Sequence, residues 1–137
     1  FTLRNPLPSF AVDGLVEGKT FVLSDIHFAF DSDAIIEEYL DELQEKTAVF
    51  HEWPDLVVEV RGHTDDAGTD TYNDNLSMRR ALAVKNFFVR HGIAPARIRA
   101  KGFGKTRPLT ANDSEAGRAL NRRVEMHIIT LGTRRSR

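Results

Sequence analysis

Two adjacent arginines, Arg79 and Arg80, lie in the stretch GHTDDAGTDTYNDNLSMRRALAVKNFF (62–88), and fifteen positions before the second of them stands a carboxylate, Asp65. On a helical wheel of about 100° per residue, Leu76, Ala81, Ala83, Val84, Phe87 and Phe88 fall on one arc with Arg80 near its middle, whereas Arg79 falls beside Asn86 and Arg90. A guanidinium turned toward the core side must meet a carboxylate or another dense set of acceptors, because desolvating it alone is costly. Asp65 is the sequence-local candidate, and two arrangements satisfy it. One is a structural Asp65–Arg80 salt bridge. The other holds the two groups a little apart, around a ligand that carries both charges. An α-amino acid head group is such a ligand, with its ammonium on Asp65 and its carboxylate on the fork of Arg80. Free backbone N–H groups at the helix start, near Asn73 to Leu76, favour the same carboxylate. Asn73 is a suitable N-cap in either arrangement.

The elements that must position these groups follow from periodicity. TFVLSDIHFAF (20–30) is a strand by its β-branched and aromatic content, stopped by DSD. From Ser32 to about Phe50, Ile35, Ile36, Tyr39, Leu40 and Leu43 recur at helical spacing with acids between them. DLVVEVRG (55–62), after the helix-breaking Pro54, is a short and nearly continuous apolar strand, expected to be buried on both faces. A second helix runs from about Asn73 to His91 and ends at Gly92. ARIRAKGF (96–103) is a third strand; a loop follows with one helical turn near Glu115 to Leu120, before RRVEMHIITL (122–131) as the last strand. The fold class is therefore α/β: a two-layer sandwich in which two right-handed crossovers pack their helices on a mixed four-stranded sheet, in the order β-α-β-α-β-loop/short helix-β. Ligands of such sheets gather outside the carboxyl ends of parallel strands. The end of the second strand is the loop GHTDDAGTD.

Composition narrows the function classes. A chain of 137 residues, 41% hydrophobic and 28% charged, fits one globular domain with its own core. A net charge of −1 supplies no general field for nucleic acid or an anionic membrane, so a charged ligand must be met locally. Without cysteine there is no disulfide, thiolate zinc site or cysteine nucleophile. No apolar run reaches the roughly 20 residues of a membrane span. The start at Phe1 suggests an excised or processed piece of a longer chain, with residues 1–19 as a linker or a segment lying against the domain, 20–131 as the domain, and 132–137 as a solvated basic tail rather than a nucleic-acid arm. An enzyme is disfavoured. His63, Asp65 and Asp66 form one short cluster with no partner at a spacing such as HExxH, and there is neither a GxSxG elbow nor a phosphate-binding glycine loop. No metal or cofactor is expected. His27, His51, His91 and His127 are scattered and read as surface or satisfied residues, Phe28, Phe30, Phe87 and Phe88 as core, and Trp53 as a cap on the core.

Four motifs agree in order and spacing: GHTD, NDNLSMRRA, GFGKTRPLTAN and GRALNRRVE. Over about Thr20 to Ile129 the chain closely resembles the outer-membrane protein A-like (OmpA-like) domain family. The resemblance implies non-catalytic binding of peptidoglycan through the diaminopimelate of its stem peptide, whose D-centre presents an ammonium beside a carboxylate. It implies Asp65 and Arg80 as the gripping pair, Thr64, Asn73 and Leu76 as pocket lining, and Phe30, Asp31 and Ser32 as second-rank contacts. Asn112, Arg118, Asn121 and Arg122 match recurring positions and are expected to clamp loop carbonyls more than to touch ligand. It further implies a periplasmic domain of a larger protein attached to the outer or inner membrane, with no nucleic-acid partner. The absence of a cysteine near the start leaves the chain as given unlike the lipoprotein type. The alternative is a protein-interaction module of the envelope in which Asp65 and Arg80 neutralise each other and no wall is bound.

Overall fold

The computed structural model describes residues 7, 8, 10, 11, 13–23, 35 and 40–135. Among them are four strands, β1 (Thr20–Val22), β2 (Val57–Gly62), β3 (Ile98–Gly102) and β4 (Val124–Thr130), in one sheet ordered β1-β4-β2-β3. β4 is antiparallel to both its neighbours, while β2 and β3 are parallel. The helices are α1 (Leu40–Glu45), α2 (Thr47–Glu52), α3 (Asp70–Arg90) and the short α4 (Glu115–Asn121). The mixed four-stranded sheet with helices packed on it is the architecture expected from periodicity. The strand residues 24–30, the helix start at 32–39 apart from Ile35, and the candidate contacts Phe30, Asp31 and Ser32 lie outside the described residues.

One core lies between the helices and one face of the sheet. Val58 and Val60 of β2, Ile98 of β3 and Val124, Met126 and Ile128 of β4 meet Leu43, Val49 and Phe50 and the α3 residues Ala81, Val84, Phe87 and Phe88. β2 is not buried on both faces: its burial alternates, with Val57, Glu59 and Arg61 half-exposed. Among the described residues helices cover one side of this sheet, and β2 departs from a continuous apolar run at Glu59 and Arg61, its positions on the open side.

The first helical stretch is two helices rather than one. Lys46 N donates to Leu43 O and Val49 N to Lys46 O, three-residue closures that tighten the chain, and the Thr47 hydroxyl takes the Gln44 carbonyl at 2.6 Å. The segment before β1 lies against the domain. Phe10 is fully buried, its N–H donates to Val22 O and Val22 N to Pro8 O, and its ring meets Phe21 edge-on. In the tail, Arg134 reaches Glu52 and Asp13.

Candidate ligand-binding site

The loop 63–69 leaves the carboxyl end of β2 and enters α3, and its geometry is set from both sides. Gly62 and Gly102 are partners in register on β2 and β3. A Cβ on Gly62 would stand 2.0 Å from Ser77 O, and one on Gly102 2.5 Å from Met78 N. The two glycines thus let the α3 backbone rest directly on the strand ends. Ser77, fully buried, accepts Gly104 N–H on its hydroxyl at 2.8 Å, which ties the loop after β3 to the same helix turn. The loop itself is pinned by His63 N to Arg123 O and Thr64 N to Gly104 O, each at 2.9 Å.

Helix α3 starts at Asp70, three residues before the position read from sequence, and its cap is Thr69 rather than Asn73. The Thr69 hydroxyl accepts the Tyr72 N–H at 3.1 Å. Its backbone is extended, as an N-cap requires. Asn73, inside the first turns and buried, donates from Nδ2 to Ala67 O at 2.7 Å and so closes the loop from within. Gly68 at φ +85° makes the turn that brings Ala67 back over it.

Asp65, the third residue of this loop, is half-buried. Its Oδ1 accepts Ala67 N–H at 3.0 Å, and its Oδ2 accepts Arg122 Nη1–H at 2.8 Å. The ion pair of Asp65 among the described residues is therefore with Arg122, at the C-cap of α4, and not with Arg80 as the salt-bridge reading had it. The loop turns the carboxylate toward α4. Arg80 lies on the buried side of α3 at 5% exposure, while its neighbour Arg79 is exposed, as the wheel requires. Thr64 and Leu76 are buried beside the loop, and Thr64 donates its hydroxyl to Asp65 O.

Arg122 continues the charge chain outward to Glu115 at the surface. Desolvation pulls the Arg122 pKa down, but hydrogen bonds to Glu115 and Asp65 outweigh it and leave it raised. The hydrogen bond from Arg122 lowers the Glu115 pKa. The other positions at this end form a separate clamp. Asn121 accepts the Leu109 and Thr110 N–H groups on Oδ1 and donates from Nδ2 to Thr110 O and Asn112 Oδ1. Arg118 donates to Asn112 O.

Beneath the loop lies a network that sequence reasoning missed. His63, Glu125 and Arg123 are all buried. His63 Nε2–H donates to Glu125 Oε1 at 2.9 Å, and Arg123 Nε–H to Glu125 Oε2 at 2.7 Å. Arg123 also donates to Asn121 O and Arg107 O. Burial is the largest influence on His63 and lowers its pKa, the bond to Glu125 opposing it. A neutral ring that donates from Nε2 keeps an acceptor at Nδ1, and that atom is buried without a hydrogen-bond partner among the described residues. A signal was present: in RRVEMHI the period of two puts Arg123 and Glu125 on one face, opposite Val124 and Met126.

Residues 27–122 match the model of the OmpA family. The chain is 43% identical over 104 residues to outer membrane porin F of Pseudomonas fluorescens, which covers 76% of this chain and 32% of that protein, so the chain spans about a third of the length of this relative. Its fold matches the peptidoglycan-associated lipoprotein of Burkholderia pseudomallei with a TM-score of 0.70 at 31% identity, covering 75% of this chain and 87% of that one. It matches the cell wall anchor of the type VI secretion system (T6SS) from Pseudomonas aeruginosa with a TM-score of 0.68 at 31% identity, over 78% and 76% of the two chains. The loop after β2, closed onto α3 by a glycine pair and onto β4 by a buried ion network, thus belongs to a member of the OmpA family.

Proposed function

We propose that this domain holds peptidoglycan by the diaminopimelate of a stem peptide and so anchors a larger envelope protein to the wall from the periplasmic side. The ligand's ammonium goes to Asp65 and its carboxylate to Arg80. No bond is made or broken; the chain acts by grip alone.

The observation that carries this reading is the state of the Asp65 carboxylate. Among the described residues each of its oxygens accepts one hydrogen bond, from Ala67 N–H and from Arg122. A carboxylate offers about four acceptor positions, so a lone pair remains on each oxygen for an ammonium. The Asp65–Arg122–Glu115 chain holds two acids and one base, and still attracts a cation. The family relation supports the same reading, since a relative of similar fold is named for peptidoglycan and another for the cell wall. A tethered anchor needs only modest affinity per site, because a polymeric wall lets it rebind at high effective concentration.

The test is an NMR titration with a diaminopimelate-containing stem peptide and a control carrying lysine at that position, which keeps the ammonium and lacks the carboxylate. Shifts near Asp65 and Arg80 with the first peptide alone, lost in Asp65→Ala, are expected. Silence with both peptides in a folded sample would discard wall binding and direct the search to protein partners.

A further inference from the structure

The face of the sheet turned away from the helices carries Glu59 and Arg61 of β2, Arg99 and Lys101 of β3, and His127 of β4, with Glu125 on the same side but enclosed by His63 and Arg123. Register sets Arg99 beside Glu59 and Lys101 beside Arg61. Arg61 is paired with Glu59 at 2.7 Å. Arg99, Lys101 and, from the next loop, Arg107 are exposed and have no carboxylate within salt-bridge distance among the described residues. Three cations crowd one ring: Arg107, Lys101 and Arg61 lie 4.1, 5.1 and 5.6 Å from the centroid of Phe103. Like charges on neighbouring strands repel, and this concentration occurs in a chain whose net charge is −1. The Phe103 ring and Glu59 offset part of this repulsion, and an arriving anion would relieve the rest.

The face is continuous with the proposed site. The His63 ring stacks on Phe103 with centroids 5.4 Å apart and planes 9° from parallel, and Thr64 N–H donates to Gly104 O. A polymer seated at Asp65 can therefore run onto Phe103 and its cations. Alternate residues along a strand are about 6.6 Å apart, so Arg99 and Lys101, with Arg107 beside Phe103, form a row of cations suited to repeated carboxylates on an extended chain. We infer that this open face is a second, electrostatic subsite for the same wall polymer, taking free carboxylates of its stem peptides. The inference rests on the wall-binding reading above.

The experiment compares wild type with the triple variant Arg99→Gln, Lys101→Gln, Arg107→Gln, its fold checked by circular dichroism and thermal melting. Three probes are used: a single diaminopimelate stem peptide, purified diaminopimelate-type sacculi, and vesicles containing an anionic phospholipid. The expected result is unchanged binding of the single peptide, sacculus binding about tenfold weaker in the variant at low salt, and wild-type sacculus binding that falls to the variant's level as salt screens the face. Equal sacculus binding by both proteins, with the peptide still bound, would overturn the subsite. Loss confined to vesicles would also overturn it and reassign the face to a lipid surface. A wild-type chain silent toward both peptide and sacculi would instead remove the reading on which the inference stands, and the inference with it.

Discussion

Two chains of hydrogen-bonded ionisable side chains meet at the loop after β2, one with an acid between two nitrogen bases and the other with a base between two acids. In the inner one, Glu125 lies between His63 and Arg123, and all three are almost wholly enclosed. In the outer one, Arg122 lies between Asp65 and Glu115, and the side-chain exposures rise from 13% through 33% to 67% toward solvent. Depth separates their consequences. Both Glu125 oxygens are occupied in a place water does not reach, so removing a partner leaves a buried charge uncompensated. Along the outer chain water can replace any lost partner, so the same removal changes what the loop can bind more than whether it folds.

The largest expected effect follows from the inner chain. Glu125→Ala should cost about 3–5 kcal/mol of stability, as breaking a buried ion pair does, read as a shift in the midpoint of denaturant unfolding. An unchanged midpoint would mean the two chains do not differ in the way their depths imply. Asp65→Ala should reverse the balance: stability within about 1 kcal/mol of wild type, and stem-peptide binding weaker by about 2–5 kcal/mol in calorimetry. Equal losses in both measurements would erase the distinction between the chains.

A smaller effect separates them by pH. Desolvation lowers the His63 pKa below its ordinary 6.5, so the unfolded chain takes the proton first as the solution is acidified. His63 therefore contributes full stability above pH 6.5, and this is lost progressively below it, toward the folded pKa. Burial raises the Glu125 pKa, but the hydrogen bonds of His63 and Arg123 and the Arg123 charge outweigh it and leave it lowered, which keeps the carboxylate ionised through that window. Melting curves at pH 7 and pH 5.5 should show the decline, and His63→Gln should flatten it. The smallest effect belongs to Glu115→Gln. Its melting temperature should match wild type, and its peptide affinity should fall less than that of Asp65→Ala, by an amount that disappears in high salt.

The contrast also explains which parts were legible beforehand. The buried side of α3 and the different duties of Arg79 and Arg80 are local consequences of helical periodicity and could be read directly. The cap could not: Thr69 and Asn73 are both good capping types, and only the closure of Ala67 onto Asn73 Nδ2 moves the helix start to Asp70. The break between α1 and α2 turns on one threonine hydroxyl competing for a backbone carbonyl, which the apolar spacing does not register. In β2 the alternation is legible only at Glu59 and Arg61, because the adjacent Leu56, Val57 and Val58 read alike whether one face or two are covered.

What the sequence by itself determined was the order of elements, the core stripe of α3, the family motifs and the candidate residues Asp65 and Arg80, because periodicity and residue type act over a few neighbouring positions. What only the tertiary structure decided was partnership. Asp65 meets Arg122 across 57 positions and His63 meets Glu125 across 62, pairings created when β4 is inserted beside β2. The parallel pairing of β2 with β3 gathers Arg61 and Lys101 around Phe103 on the open side, and the loop after β3 adds Arg107. Charge pairing is set by distance in space, and the sheet order, not the chain order, fixes that distance.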